Sequence, residues 1–250
     1  MKQADQPINM LRIFILLRVL IVLPSSLAAE CVVLLHGLGR LSNSMSELET
    51  KLAPAGYGVA NIKYPSHSHP IDVLASDAIG RGLLQCRGEN VGKIHFITHL
   101  LGGILLRYYL TDNTIDELGR VVMLGPPNQG SEIVDGLLPI PGFGFIGGPA
   151  GVALGTDEGS IIDGLGPVEF DLGIIAGSTN INPLEFLFIA GPSDSIVSIE
   201  STMVRGMNAH MVLPVTHTFM MRNNEVIEQA IHYLKTGSFI PEPIDEEADD

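Results

Sequence analysis

Positive charge is scarce in this sequence. Only 14 of its 250 residues are lysine or arginine, against 28 aspartates and glutamates, which gives a formal net charge of -14 at pH 7. Proteins that bind nucleic acid hold its phosphates with clustered lysine and arginine, whereas these residues are spread thinly here. The composition therefore argues against a nucleic-acid partner.

Long hydrophobic runs are also lacking, except near the amino terminus. There, Lys2 and Arg12 precede an apolar run over 13–23, and mostly small residues follow over 24–29. This order is typical of a secretory signal peptide, and about ten apolar residues are too few to span a bilayer comfortably. We expect residues 1–29 to be a signal peptide that directs export to the periplasm or the medium. Retention as a membrane anchor is the competing interpretation.

Cysteine is nearly absent, with two residues in the whole chain, Cys31 and Cys86. An exported protein can oxidise such a pair. Cys31 opens the first strand-like run and Cys86 closes a helix-like stretch, so both could lie at one edge of a parallel sheet. A disulfide and two buried thiols are both compatible with the sequence.

The rest of the chain alternates short apolar runs with longer amphipathic stretches. This alternation predicts an α/β fold, a mostly parallel sheet with helices on both faces, in one main domain over 30–238. The predicted strands, rich in β-branched and aliphatic residues, are 31–36, 58–64, 93–98, 119–124, 172–176 and 211–215. The predicted helices are 44–52, 71–86, 101–110 and 223–234. Ser44 and Glu47 have the spacing of a capping box at the first helix.

Two stretches depart from this pattern. Residues 130–173 contain many glycines and prolines and show no sustained helical or strand period. A long excursion inside a compact domain is usually functional, so we predict a lid-like insertion there. Residues 239–250 are crowded with aspartate and glutamate and have almost nothing apolar to bury. They predict a disordered acidic tail.

The most informative segment is 95–105, which reads HFITHLLGGIL. An apolar strand turns sharply into a helix that begins with two glycines. Such a turn lifts one side chain above the sheet in a strained conformation, and the residues two positions away must be small. Gly102 meets this demand, Thr98 meets it less well than glycine, and Leu100 occupies the apex.

This segment resembles the THSxGG nucleophile elbow of lipase-like α/β hydrolases, in which the apex residue is serine. Four more stretches resemble the same family in the expected order: VVLLHGLGR at 32–40, LGPPNQGSE at 124–132, GPSDSIVSIEST at 191–202 and LPVTHTFMM at 213–221. The resemblance extends over most of 31–238. It implies the α/β-hydrolase fold and acyl-ester hydrolysis through a Ser-Asp-His triad.

Leu100 is the departure from that family pattern. Leucine has no nucleophilic atom and no ionisable proton, so it cannot form an acyl-enzyme. Thr98 should point away from the apex, and His99 is not an acyl acceptor of the usual kind. We therefore predict a lipase or carboxylesterase by family that is inactive, or very weakly active, in this copy.

The resemblance implies the other two members of the triad. His217 follows a strand-like run and precedes the closing helix, as the general base does in the family. Asp194 is the corresponding acid, although Ser195 replaces the glycine that typically follows it. The order Leu100, Asp194, His217 is the chain order of nucleophile, acid and base. Asp163 and Asp171 are weaker candidates for the acid.

The resemblance also implies an oxyanion hole made of two backbone amides. Leu38, in the His36-Gly37-Leu38-Gly39 segment, would supply one. Leu101 would supply the other, at the start of a helix whose dipole favours an anion.

No metal or other cofactor is expected, because His67 and His69 form an HxH segment without a third ligand. The expected ligand is a lipid or another acyl ester, and contact with a membrane surface is compatible with it. Four apolar residues of the insertion suit either an acyl pocket or core packing: Ile140, Phe143, Phe145 and Ile146. The alternative function is a non-catalytic protein that binds an acyl ligand or a partner.

Overall fold

The computed structural model describes residues 29–88, 91–157, 160–181, 187–189 and 191–241. The predicted signal peptide, except Ala29, and most of the predicted acidic tail lie outside the described residues. Within the described part of the chain, no helix combines the length and apolar character needed to cross a bilayer.

Six parallel strands form one sheet, in the order β2-β1-β3-β4-β5-β6. They are β1 Ala29–Leu35, β2 Gly58–Ile62, β3 Val91–His99, β4 Leu118–Leu124, β5 Leu172–Gly177 and β6 Ala209–Leu213. The chain runs from β1 to its neighbour β2, returns to β3 on the other side of β1, and then proceeds to β6. Parallel neighbours require crossovers over a face of the sheet, so the predicted α/β class is confirmed.

The helices lie in the crossovers between strands, except the last, which follows β6. These are α1 Ser46–Leu52, α2 Ile71–Cys86, α3 Leu101–Asp112, α4 Glu132–Leu137, α5 Phe143–Val152, α6 Ile161–Gly164, α7 Ile199–Thr202 and α8 Asn224–Thr236. Successive side chains of a strand point to opposite faces. Accordingly, Val33 and Leu35 pack in the core beneath α2 and α3, whereas Val32 and Leu34 pack in the core beneath α1 and α8.

Cys31 and Cys86 form a disulfide, with their Cα atoms 5.6 Å apart. It joins the beginning of β1 to the end of α2. The sequence was compatible with a disulfide and with two buried thiols, and the structure has the disulfide.

The predicted capping box is wrong. A short 3-10 turn over Ser42–Met45 precedes α1, and the residue that caps α1, Met45, makes no side-chain hydrogen bond. Ser44 instead donates its hydroxyl to the carbonyl oxygen of Leu41 at 2.8 Å. Serine side chains compete for nearby backbone groups, and here that local bond closes the turn rather than capping the helix.

The insertion over 130–173 leaves the sheet after β4 and returns at β5, but it is not devoid of regular structure. It contains α4, α5 and α6, of which the longest has ten residues and includes Pro149 and a non-helical Gly148. Helices this short and this interrupted present no periodic apolar face for sequence analysis to find.

Candidate active site

Leu100 forms the junction between β3 and α3 by itself. Its backbone has φ 47° and ψ -114°, a region that residues with a side chain rarely adopt. The amide of Leu100 donates to the carbonyl oxygen of Leu124 at 3.1 Å, and Gly103 donates its amide to the carbonyl oxygen of Leu100 at 3.2 Å. A Cβ atom on Gly102 would lie 2.6 Å from the carbonyl oxygen of Leu35. The turn therefore has the sharp, strained geometry of a nucleophile elbow, with leucine at its apex.

His217 and Asp194 lie together and are buried, 3% and 0% exposed. Nδ1 of His217 is 2.7 Å from Oδ2 of Asp194. The other oxygen of Asp194 accepts hydrogen bonds from the amides of Ile196 and Val197, at 3.1 and 2.9 Å. A carboxylate only accepts, so Nδ1 of His217 carries a proton, and the neutral imidazole then has its lone pair on Nε2. That is the tautomer that a general base requires.

Nε2 of His217 is buried and has no hydrogen-bond partner among the described residues. In the hydrolase triad this atom accepts the proton of the nucleophile. A leucine side chain at position 100 offers it no hydrogen to accept.

The sheet brings these groups to one edge. The carboxyl ends of parallel strands meet at the same edge, where ligands of α/β proteins bind. Leu100 follows β3, Asp194 lies in the connection after β5, and His217 follows β6. The amide of His217 donates to the carbonyl oxygen of Asp194 at 3.0 Å, which ties the two loops together.

His99 joins the elbow to the base. Nε2 of His99 donates to the carbonyl oxygen of His217 across 3.2 Å, and the two rings are 4.5 Å apart between centroids. Burial lowers the pKa of His99 well below its ordinary value of 6.5, and a positive charge on His217 would lower it further. His99 therefore stays neutral, with its Nδ1 lone pair buried and unpaired in the described structure.

The segment predicted to form the oxyanion hole packs directly against the elbow. A Cβ atom on Gly37 would lie 2.7 Å from Nδ1 of His99 and 3.1 Å from Cβ of Leu100. Gly39 donates its amide to Oγ of Ser66 at 3.0 Å, and Tyr64 donates its hydroxyl to the carbonyl oxygen of His36. The predicted oxyanion segment, 36–39, is thus hydrogen-bonded at both of its ends.

The two predicted oxyanion donors lie on either side of this contact. Leu38 is in the loop, beside the Gly37 backbone that touches the elbow. Leu101 is the first residue of α3, and the amides of a helix's first turn have no partner within the helix. Their role as oxyanion donors stays a prediction.

Two positive-φ positions lie beside the histidine-carboxylate pair, and of these only Gly125 was not found from the sequence. Gly125, at the end of β4, has φ 51°, and a Cβ atom there would lie 3.0 Å from Asp194 Oδ2 and from His217 Nδ1. Ser195 has φ 88°, which explains the family's glycine at this position. Its hydroxyl accepts from the amide of Ile181 at 2.8 Å and donates to Oδ1 of Asn180 at 3.1 Å. These bonds offset part of the backbone strain.

The other candidate acids lie elsewhere. Asp171 precedes β5, at the opposite edge of the sheet, and accepts hydrogen bonds from Arg120 at 3.0 Å and Tyr233 at 2.6 Å. Asp163 belongs to α6 in the insertion. The HxH histidines, His67 and His69, are exposed. In the part of the chain that the structure describes, no three His, Cys, Asp or Glu side chains are grouped to hold a metal.

Together, the parallel sheet, the elbow after β3 and the histidine-carboxylate pair after the last two strands define an α/β-hydrolase architecture. No protein-family model and no curated protein sequence matches the chain. Solved structures, in contrast, match most of the chain.

The mature form of the lipase BlEst2 from Bacillus licheniformis is 16% identical, with a TM-score of 0.58 over 85% of this chain and 93% of that one. The esterase EaEST from Exiguobacterium antarcticum is 18% identical, with a TM-score of 0.58 over 84% of this chain and 93% of that one. Phospholipase PlaB from Legionella pneumophila is 16% identical, with a TM-score of 0.60 over 84% of this chain and 60% of that one. The resemblance to lipase-like α/β hydrolases is thus confirmed at the level of the fold.

Proposed function

We propose that this chain is a lipase or carboxylesterase whose covalent step is blocked because Leu100 replaces the nucleophile. The observation that carries the proposal is the buried hydrogen bond of 2.7 Å between His217 and Asp194, beside an elbow whose backbone has φ 47°. That strained conformation makes a reactive side chain project above the sheet. A leucine has no reactive group for which the strain would be useful.

The proposed roles are those of a serine hydrolase, and the geometry of the site supports them. In a Leu100→Ser variant, His217 Nε2 would accept the serine proton as the oxygen attacks the ester carbonyl. Asp194 would hold the imidazole in the required tautomer and stabilise its positive charge. The amides of Leu38 and Leu101 would donate to the developing oxyanion. Hydrolysis of the acyl-enzyme by water would then return the serine and release the acid.

The substrate class is a lipid or another acyl ester. Lipases, an esterase and a phospholipase share the fold, and the insertion that starts after β4 reaches the proposed oxyanion loop. A Cβ atom on Gly151 of α5 would lie 2.8 Å from Cδ2 of Leu38. We further propose export, which the Cys31–Cys86 disulfide supports, and contact of this edge of the sheet with a lipid surface.

The test compares the purified chain with its Leu100→Ser and Leu100→Ala variants on nitrophenyl esters of short and long acyl chains. Leu100→Ala is the matched control, because it also shortens the side chain but supplies no nucleophile. We expect hydrolysis only by Leu100→Ser, together with labelling of that variant alone by a serine-directed phosphonate. Circular dichroism checks that all three chains are folded.

Two outcomes would contradict the proposal. If folded Leu100→Ser neither hydrolyses esters nor is labelled, the remaining machinery is not that of a hydrolase, and binding of an acyl ligand without turnover becomes the better account. If the unaltered chain is as active as Leu100→Ser, the chemistry does not depend on the elbow. A missing triad member can leave about 10³-fold to 10⁴-fold acceleration over water, so weak activity of the unaltered chain is compatible with the proposal.

A further inference from the structure

A cavity of about 500 Å³ has a wall that includes none of Leu100, Asp194 and His217. Its volume is in the range of small-molecule sites. Its wall includes Arg107 of α3, Arg205, which follows α7, and Asp163. Its other polar wall residues are Asn128, Gln129, Thr156 and Ser160.

Arg107 is the unusual group, because it is a buried cation without an acidic partner among the described residues. It is 5% exposed, and its guanidinium donates to the carbonyl oxygen and Oδ1 of Asn128, both at 3.0 Å, and to the carbonyl oxygen of Gly166 at 2.7 Å. Its Nε has no partner in the described structure. No carboxylate of the described residues lies within 4.0 Å of it. Burial lowers the pKa of Arg107 to about 10.

A buried guanidinium that meets only neutral oxygens is stabilised far less than one paired with an anion. Among the described wall residues, two arginines and one aspartate carry charge, about +1 in sum, in a chain whose formal net charge is -14. Lysine and arginine are scarce throughout this sequence, so two arginines at one cavity are a local concentration of positive charge.

We propose that this cavity is a binding site for a phosphate monoester group, held by Arg107 and Arg205. Two arginines match the shape and charge of a phosphate, which accepts paired hydrogen bonds from a guanidinium. The ligand is either a small soluble phosphomonoester or the headgroup of a lipid such as phosphatidic acid. The site does not depend on the proposed hydrolase activity.

Hydrogen bonds fix the segment that packs around Arg107. Asn128 donates its side-chain amide to the carbonyl oxygen of Thr202 at 2.7 Å, and Gln129 donates to the carbonyl oxygen of Glu200 at 2.9 Å. These amides hold the segment after β4 against α7, which comes shortly before Arg205. The same bonds show that Asn128 and Gln129 position the wall, whereas Nε of Arg107 has no partner among the described residues.

The experiment titrates the full chain by calorimetry at low ionic strength with glycerol 3-phosphate, and with glycerol as the uncharged control. Sedimentation with phosphatidylcholine vesicles, with and without phosphatidic acid, tests the lipid source. Arg205→Gln removes an exposed guanidinium from the cavity, and Arg222→Gln removes an exposed arginine that does not line it. Arg107→Lys keeps the buried charge but not the planar fork, and circular dichroism checks its fold.

We expect binding of glycerol 3-phosphate, of the phosphatidic-acid vesicles, or of both. Arg205→Gln and Arg107→Lys should each weaken it by about tenfold or more, whereas Arg222→Gln should change it by less than about twofold. Binding to one probe alone identifies the ligand's source. Absence of binding to both overturns the proposal, and so does equal weakening by Arg205→Gln and Arg222→Gln. In either of those cases, Arg107 serves only to tie Asn128 to Gly166.

Discussion

His99 Nε2 lies 3.2 Å from the carbonyl oxygen of His217, so the residue before the elbow holds the backbone of the proposed base. The same ring closes against Gly37 of the proposed oxyanion loop. The buried imidazole of His99 thus contacts both the loop of the proposed base and the proposed oxyanion loop, which are far apart in sequence.

Replacing His99 by phenylalanine should preserve the ring contacts but lose this hydrogen bond. In the Leu100→Ser background we expect kcat to fall by about tenfold or more, because the backbone of His217 is no longer fixed relative to the serine. The free energy of unfolding should fall by about 1 to 3 kcal/mol, because the carbonyl oxygen of His217 loses its partner. Ester assays and urea denaturation measure the two effects. His232→Phe is the control, since the Nδ1 of His232 bonds a carbonyl oxygen near the surface. Equal effects of the two substitutions on kcat would remove the positioning role of His99.

Asp194→Asn tests the tautomer of His217. Asparagine can keep one oxygen towards the amides of Ile196 and Val197, so the loop should survive. Its amide group would then face Nδ1 of His217 as a donor and place the imidazole proton on Nε2. In the Leu100→Ser background we expect kcat to fall by about 10⁴-fold. In the unaltered chain, nitrogen NMR of His217 should report the changed tautomer without any need for activity. An unchanged tautomer would mean that Asp194 does not orient the base.

Gly125→Ala should damage both the fold and the site. Its φ is 51°, and the added Cβ atom would lie 3.0 Å from both Asp194 Oδ2 and His217 Nδ1. Gly56→Ala is a matched control, because Gly56 also has a positive φ but has nothing within 4 Å of the added atom. Backbone strain alone costs about 1 to 2 kcal/mol in both variants. We expect Gly125→Ala to lose more unfolding free energy than that, and to lose the activity restored by Leu100→Ser. Equal losses in the two variants would show that the site tolerates the contact.

The stability of the fold should decrease as the pH falls below neutral. Burial is the first cause that lowers the pKa of His99 and of His36 below their ordinary value of 6.5. The unfolded chain therefore binds protons near pH 6.5 that the folded chain does not bind. Stability is complete above that pH and falls by up to about 1.4 kcal/mol per pH unit for each such histidine. Urea denaturation between neutral and mildly acidic pH measures the slope, which should be smaller in His99→Phe. A slope that is unchanged in that variant would contradict the assignment to His99.

Reduction of the disulfide should lower stability without moving the active-site loops. Cys31 and Cys86 are 55 residues apart, and closing a loop of that length restricts the unfolded chain. We expect a loss of about 2 to 4 kcal/mol on reduction. Denaturation with and without dithiothreitol measures it, and the double Cys→Ser variant should be indifferent to the reductant. If that variant still responds, the reductant acts in some other way.

The fold and most of the site could be predicted from local sequence. The buried parts of β1, β4 and β5 are apolar runs because both of their faces are covered, and Gly102 is needed because the elbow packs closely against Leu35 of β1. Where prediction failed, the decisive contact was local but ambiguous. Ser44 had two backbone partners within reach, and its hydroxyl took the one that closes a turn before α1.

The sequence by itself determined the α/β alternation, the elbow motif and the replacement of its nucleophile by Leu100, because these depend on residue type and on spacing along the chain. Only the tertiary structure decided that His217 faces Asp194, that His99 holds the carbonyl of His217, and that Gly125 must lack a side chain. Those relationships join loops after different strands, and they exist only because a parallel sheet brings the carboxyl ends of its strands to one edge.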